Sequence, residues 1–127
     1  MSIILFDTNI LIDHLKGKTE ATLVLKQCID SRIQLACSVI TRIELLSGMR
    51  PAEESLLERF LAGFEEIDVT KKIANLAGVY MNRYRKSHGI NMADAIIAPS
   101  AKFIDSKLYT LNTKHYPMGG IEVVKPY

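Results

Sequence analysis

The sequence predicts a three-layer α/β/α sandwich around a mostly parallel central sheet, and three observations carry that prediction. Ile3-Ile4-Leu5-Phe6 is a short unbroken apolar run, as expected of a strand buried on both faces. Short extended segments alternate with helically spaced ones along the whole chain. The 127 residues, 48% of them apolar, suit a single domain (1–127) with one sizeable core.

After Phe6 the chemistry changes sharply to Asp7-Thr8-Asn9. Ile10, Leu11, Ile12 and Leu15 then follow helical spacing. A strand feeding a helix places Asp7 at the carboxyl end of the strand, where open α/β sheets bind ligands. Asp is also a good helix cap, and both readings stand at this point. Gly17-Lys18-Thr19 marks a turn with Thr19 as N-cap, and Ala21 to Ile29 forms an amphipathic helix. Ile33 to Cys37 is the second strand. Ser38 caps a helix from Val39 to about Met49, with Ile40, Ile43 and Leu46 as its apolar stripe and Glu44 on the border of that stripe.

Pro51 suits the first turn of the next helix. Leu56, Leu57, Phe60 and Leu61 are its apolar face, and Gly63 ends it. Phe64 to Val69 alternates as a strand. Thr70 caps a long helix through Ile73, Leu76, Ala77, Tyr80 and Tyr84, whose basic end suits a helix dipole or a phosphate backbone. Ile90 to Ile104 is a further helix, in which Pro99 predicts a bend or a break. Lys107 to Leu111 and Ile121 to Val124 are the last strands, separated by a Gly119-Gly120 turn.

The formal charge of +2 permits a nucleic-acid partner without requiring one. Cys28 and Cys37 show no metal-site spacing and read as reduced, buried thiols. No apolar stretch approaches the ~18 residues needed to cross a bilayer, and no basic segment precedes the first apolar run as a secretory signal requires. The expectation is a cytoplasmic protein without membrane contact.

Asp94 stands among Ala93, Ala95, Ile96 and Ile97. A carboxylate near the core requires a partner, because an unpaired buried charge costs several kcal/mol. Asp7, Glu44 and Asp94 therefore share a tendency to face inward, and convergence at one site explains all three. Two unit charges about 4 Å apart cost about 4 kcal/mol at an effective dielectric of 20. Such a cluster stays ionised around a cation, and oxygen ligands without Cys/His pairs favour Mg²⁺ or Mn²⁺ over zinc.

Phe6-Asp7-Thr8-Asn9, Thr41-Arg42-Ile43-Glu44-Leu45, Ala93-Asp94-Ala95-Ile96-Ile97-Ala98 and Thr110-Leu111-Asn112 together resemble the PIN-domain family, and within it the VapC-type toxins of toxin–antitoxin pairs. The motifs run in family order over almost the whole chain. The resemblance implies a metal-dependent endoribonuclease with Asp7, Glu44 and Asp94 as catalytic metal ligands. It implies that Thr8 or Asn9 supports the first acid and that Asn112 lines the same pocket, with Thr110 and His115 as further supporting candidates beside it. The products would be a 5′-phosphate and a 3′-hydroxyl. A homodimer, an RNA substrate and a VapB-like antitoxin that tethers the complex to operator DNA are implied as partners.

Two positions depart from the pattern. His115 stands where many relatives carry a fourth acid, and Pro99 replaces a plain helix former. A catalytically silent module that binds RNA or antitoxin is the alternative. A haloacid-dehalogenase-like phosphohydrolase would need an acid at Asn9. A receiver-like domain would need paired acids after the first strand, and Asp7-Thr8-Asn9 has no such pair.

Overall fold

The computed structural model describes residues 2–127. Five strands form one sheet: β1 (Ile3–Phe6), β2 (Gln34–Ser38), β3 (Glu65–Ile67), β4 (Lys107–Tyr109) and β5 (Val123–Val124), in the order β3-β2-β1-β4-β5. All four pairings are parallel, so the sheet is wholly parallel where the sequence predicts a mostly parallel one. The helices are α1 (Thr8–Leu15), α2 (Thr19–Asp30), α3 (Val39–Ser47), α4 (Glu54–Leu61), α5 (Lys71–His88) and α6 (Met92–Phe103). Short 3₁₀ turns at Pro51–Glu53 and Thr113–His115 complete the chain.

Alternation along the strands divides the interior into two cores, one on each sheet face. Leu5, Ala36 and Leu108 point toward α5 and α6, joining Ile73, Tyr80 and Ile97. Ile4, Phe6, Leu35 and Cys37 point the other way, joining Ile10, Leu11, Leu25, Leu57 and Leu61 from α1, α2 and α4. These two cores make the third and first layers of the sandwich. Cys28 and Cys37 are free and buried, and burial pushes the Cys37 thiol up to about 12. Among the described residues no helix is long and apolar enough to cross a membrane.

Several caps form as the sequence predicts. Ser38 accepts from the Ile40 amide at 3.1 Å and Thr70 from Ile73 at 3.3 Å. Gly89 ends α5 with φ +64°, a conformation that costs a residue without a Cβ little.

Four expectations are corrected. Thr19 is the first residue of α2 rather than its cap, a position held by Lys18 without a side-chain bond. The strands expected over Phe64–Val69 and Ile121–Val124 shrink to three and two residues. The buried face of α3 is Thr41 and Leu45, while Ile43 is 60% exposed and Leu46 is also outward. Of the bend or break expected at Pro99, the break does not occur: helix α6 continues through it. Pro99 is packed within a run buried from Asp94 to Ala101, so tertiary packing offsets the missing amide donor. The Ser100 hydroxyl, 2.7 Å from the Ile96 carbonyl, adds a side-chain bond to the next turn.

Candidate functional site

The sheet changes winding direction beside β1: β2 and β3 extend to one side, and β4 and β5 to the other. Ligands bind at such a switch point, beyond the carboxyl ends of the strands. Phe6 pairs with Tyr109, and the Asp7 amide donates to the Tyr109 carbonyl at 2.9 Å. This single extra bond sets Asp7 and Thr110 side by side just past the sheet edge.

Asp7 is both cap and site residue. Its Oδ1 accepts from the Thr8 amide at 2.7 Å, which starts α1. Its Oδ2 accepts from the Thr110 hydroxyl at 2.7 Å and from the Tyr116 hydroxyl at 2.9 Å. Thr110 Oγ1 in turn accepts from the Asn112 amide at 3.0 Å, which folds the β4 exit loop around the site. Burial raises the Asp7 carboxyl above its ordinary range and nearby Asp94 raises it further, against the lowering effect of the three donors. An ionised Asp7 thus lacks compensating positive charge.

Asp94 is the third residue of α6 and forms a reciprocal capping box with Asn91. The Asp94 amide donates to Asn91 Oδ1 at 2.9 Å, and the Asn91 amide donates to Asp94 Oδ2 at 3.1 Å. The partners that its burial demands are thus partly its own helix end. His115 Nδ1 lies 3.0 Å from Asp94 Oδ2, and the Tyr116 hydroxyl lies 3.3 Å from Asp94 Oδ1. The same ring nitrogen lies 2.8 Å from Asn112 Nδ2, so His115 bridges Asn112 of the β4 exit loop and Asp94 of α6.

Glu44 arrives from α3, half-buried, and its Oε1 accepts from the Thr8 hydroxyl at 2.7 Å. Thr8 Oγ1 is also 2.9 Å from Thr41 Oγ1. Thr8 has one hydroxyl proton and spends it on Glu44, so Thr41 must donate to Thr8. The result is a directed relay from Thr41 through Thr8 to Glu44, with both threonines buried. The sequence places Glu44 beside an apolar stripe; the structure places it beside this polar pair.

Asp7, Thr8, Glu44, Asp94, Asn112 and His115 line one cleft of about 200 Å³. Asn9 also lines it, but its Oδ1 accepts from the Leu111 amide at 3.4 Å, so it braces the β4 exit loop rather than Asp7. The three acids line this cleft without closing around one point: among the described residues, no three His, Cys, Asp or Glu side chains stand close enough to hold a metal together. The physical reason lies in their separate engagements. Thr8 engages Glu44, and the cap of α6 holds Asp94. Asp7 and Asp94 remain adjacent, sharing the Tyr116 hydroxyl. A desolvated carboxylate beside a second one fits a hard divalent ion held by one or two carboxylates with waters.

Tyr116 and Thr41 escape sequence reasoning. No motif marks Tyr116; Thr41 opens the motif that carries Glu44, three residues before it on the same helix face, but no role attaches to it there. Arg42 of α3 points away from the cleft's acids into a separate network: it bonds Glu58 of α4 and Glu66 of β3. These charge-assisted bonds hold its guanidinium far above neutrality. A larger, mainly apolar cleft of about 800 Å³ lies under Leu25, Phe60 and Phe64, apart from the acids.

The sheet order, with an acid at its switch point and two more facing the same cleft, defines a parallel α/β protein with an acid-lined cleft. The sequence matches the PIN domain over residues 4–120, and the chain belongs to that family. Within it, the chain is 40% identical over 115 residues to Ribonuclease VapC19 of Mycobacterium tuberculosis, covering 90% of this chain and 92% of that protein. It is 42% identical over 126 residues to Ribonuclease VapC10 of the same organism, covering 97% and 91%. The structure is similar to a toxin–antitoxin complex from Klebsiella pneumoniae, with a TM-score of 0.75, 34% identity and 98% of each chain covered. VapBC2 from Rickettsia felis, bound to a DNA fragment from its promoter, shares the fold at a TM-score of 0.77 with 24% identity, over 96% of this chain and 97% of that one.

Proposed function

We propose that the protein is a Mg²⁺- or Mn²⁺-dependent endoribonuclease, the toxin of a toxin–antitoxin pair. The observation that carries this reading is the adjacency of Asp7 and Asp94 under one hydroxyl at the sheet's switch point, with Glu44 facing the same cleft. Relatives over 90% or more of this chain bear the name ribonuclease. Asp7 and Asp94 would hold the cation, with Glu44 contributing from α3. When bound, such a cation activates water and neutralises charge growing on a phosphodiester.

The chain's own residues do the rest. Thr110, Tyr116 and the Thr8 amide orient Asp7. Asn91 and His115 orient Asp94. Thr8 aims Glu44 into the cleft. The substrate is RNA, cut to a 5′-phosphate and a 3′-hydroxyl. The partners are a VapB-like antitoxin and a second copy of the chain, with operator DNA reached only through the antitoxin, in the cytoplasm. The antitoxin rests on the structural similarity to a toxin–antitoxin complex.

Two observations favour a second reading, a silent module that binds RNA or antitoxin without cutting: among the described residues no three acids stand in ligand contact, and His115 stands at the fourth-acid position. One experiment separates them. Purified protein is mixed with RNA and Mn²⁺, beside Asp7→Asn and Asp94→Asn. Cleavage by the wild type alone supports the nuclease. Equal cleavage by all three overturns it, and no cleavage by any favours the silent module.

A further inference from the structure

We propose that Tyr116 is a positioning residue, whose hydroxyl holds the Asp7 and Asp94 carboxylates as a pair ready for a divalent cation. The inference rests on the nuclease reading above and adds a residue that no motif marks. Tyr116 directly follows the 3₁₀ turn Thr113–His115, and its amide donates to the Thr113 carbonyl at 3.0 Å. It is 4% exposed and belongs to the core that contains Leu5, Ala95, Ile96 and Met118. Packing therefore fixes the ring, and the ring fixes where the hydroxyl stands.

The hydroxyl lies 2.9 Å from Asp7 Oδ2 and 3.3 Å from Asp94 Oδ1. Both carboxylates only accept, so the single phenolic proton is shared, more closely with Asp7. Two carboxylates facing one cleft repel each other, and each would turn away if nothing polar stood between them. Among the described residues, the Tyr116 hydroxyl is the only side-chain donor in reach of both acids: Thr110 donates to Asp7, and His115 stands against Asp94. Neighbouring residues of one turn thus grip the two oxygens of Asp94: His115 at Oδ2 and Tyr116 at Oδ1.

This arrangement has the form of an outer-shell contact. Hydrogen bonds to ligating carboxylates orient them, and losing such a contact typically weakens metal affinity about 10–100-fold. Tyr116→Phe keeps the ring in the core and deletes only the hydroxyl. The expected result is a folded protein by circular dichroism whose Kd for Mn²⁺, read from the free-Mn²⁺ resonance signal, is at least about tenfold weaker than wild type. Because Tyr116 acts by pairing the two carboxylates, the same substitution on an Asp7→Asn background, where the pair is already broken, should shift the residual affinity by less than about twofold.

A measurement on the wild type needs no variant. With tyrosine labelled at Cζ, the Tyr116 carbon resonance should move as Mg²⁺ saturates the site. Undiminished Mn²⁺ affinity in Tyr116→Phe, an equal loss on the Asp7→Asn background, or a Tyr116 resonance unmoved at saturating Mg²⁺ would each overturn the inference while leaving the nuclease intact. Wild-type protein that binds neither ion would overturn the metal reading itself, and the inference with it.

Discussion

Asp7 and Glu44 line the same cleft but are held in unlike ways. Asp7 is 6% exposed and receives three direct donors, from the Thr8 amide, Thr110 and Tyr116. Glu44 is half-buried and receives one, the hydroxyl of Thr8, itself backed by Thr41. Asp7 is fixed by the sheet edge and cannot relax; Glu44 hangs from a helix and keeps an oxygen without a hydrogen-bond partner among the described residues. On the proposed nuclease reading, the difference would assign the rigid pair Asp7 and Asp94 to ion holding and make Glu44 the adjustable member, free to swing toward a bound ion.

The largest expected effect tests that division. Asp7→Asn or Asp94→Asn should lower RNA cleavage in Mn²⁺ about a thousandfold, on the order of 4 kcal/mol of transition-state stabilisation. Glu44→Gln should lower it only about tenfold, because it can still accept from Thr8 and leaves the rigid pair whole. Initial rates on a fluorogenic RNA measure both. An equal loss in all three variants would break the contrast and make the acids equivalent ligands.

Smaller effects should appear in stability. Thr110→Val removes a 2.7 Å bond to buried Asp7 and the acceptor of the Asn112 amide, so it should destabilise by about 2–3 kcal/mol in urea unfolding. Thr41→Val removes only the far end of the relay and should cost about 1 kcal/mol. Combined with Thr8→Val, Thr41→Val should add less than its single cost, since the relay is already cut. Additive costs would mean that the two hydroxyls act independently and that Glu44 is not placed by the pair.

The two walls of the cleft also differed in how legible they were. The Asp7 wall could be read directly, because Ile3-Ile4-Leu5-Phe6 is a buried strand and Asp7 ends it. Ser38 and Thr70 were readable for a similar reason: caps are local, and their bonds span two or three residues. The Glu44 wall inverted its own pattern. Thr41 is buried and Ile43 exposed, so hydrophobic periodicity pointed to the wrong face of α3 while still reaching the right acid. Asn91-x-x-Asp94 carried a legible cap signal that the burial argument for Asp94 eclipsed. Tyr116 had no such signal, since its hydroxyl meets Asp7 across 109 positions of sequence. Pro99 misled because its cost is local and its compensation is packing.

The smallest expected effect concerns what anchors the adjustable wall. Arg42 sits two residues before Glu44 on α3 and bonds Glu66 of β3 and Glu58 of α4, each through two nitrogens. Two-pronged contacts fix orientation as well as distance, so this residue sets how α3 lies against its neighbours. Glu58 is largely exposed, and that half of the network is screened by solvent. Arg42→Met should therefore lower Tm modestly in low salt while retaining most cleavage at saturating Mn²⁺. The Tm difference should shrink in 1 M NaCl, where screening acts over ~3 Å. Asp7 draws nothing from this network, so ion affinity at the rigid pair should stay close to wild type. A large loss of Mn²⁺ affinity in Arg42→Met would mean that α3 and Glu44 hold the ion in the resting site, reversing the roles of the two walls.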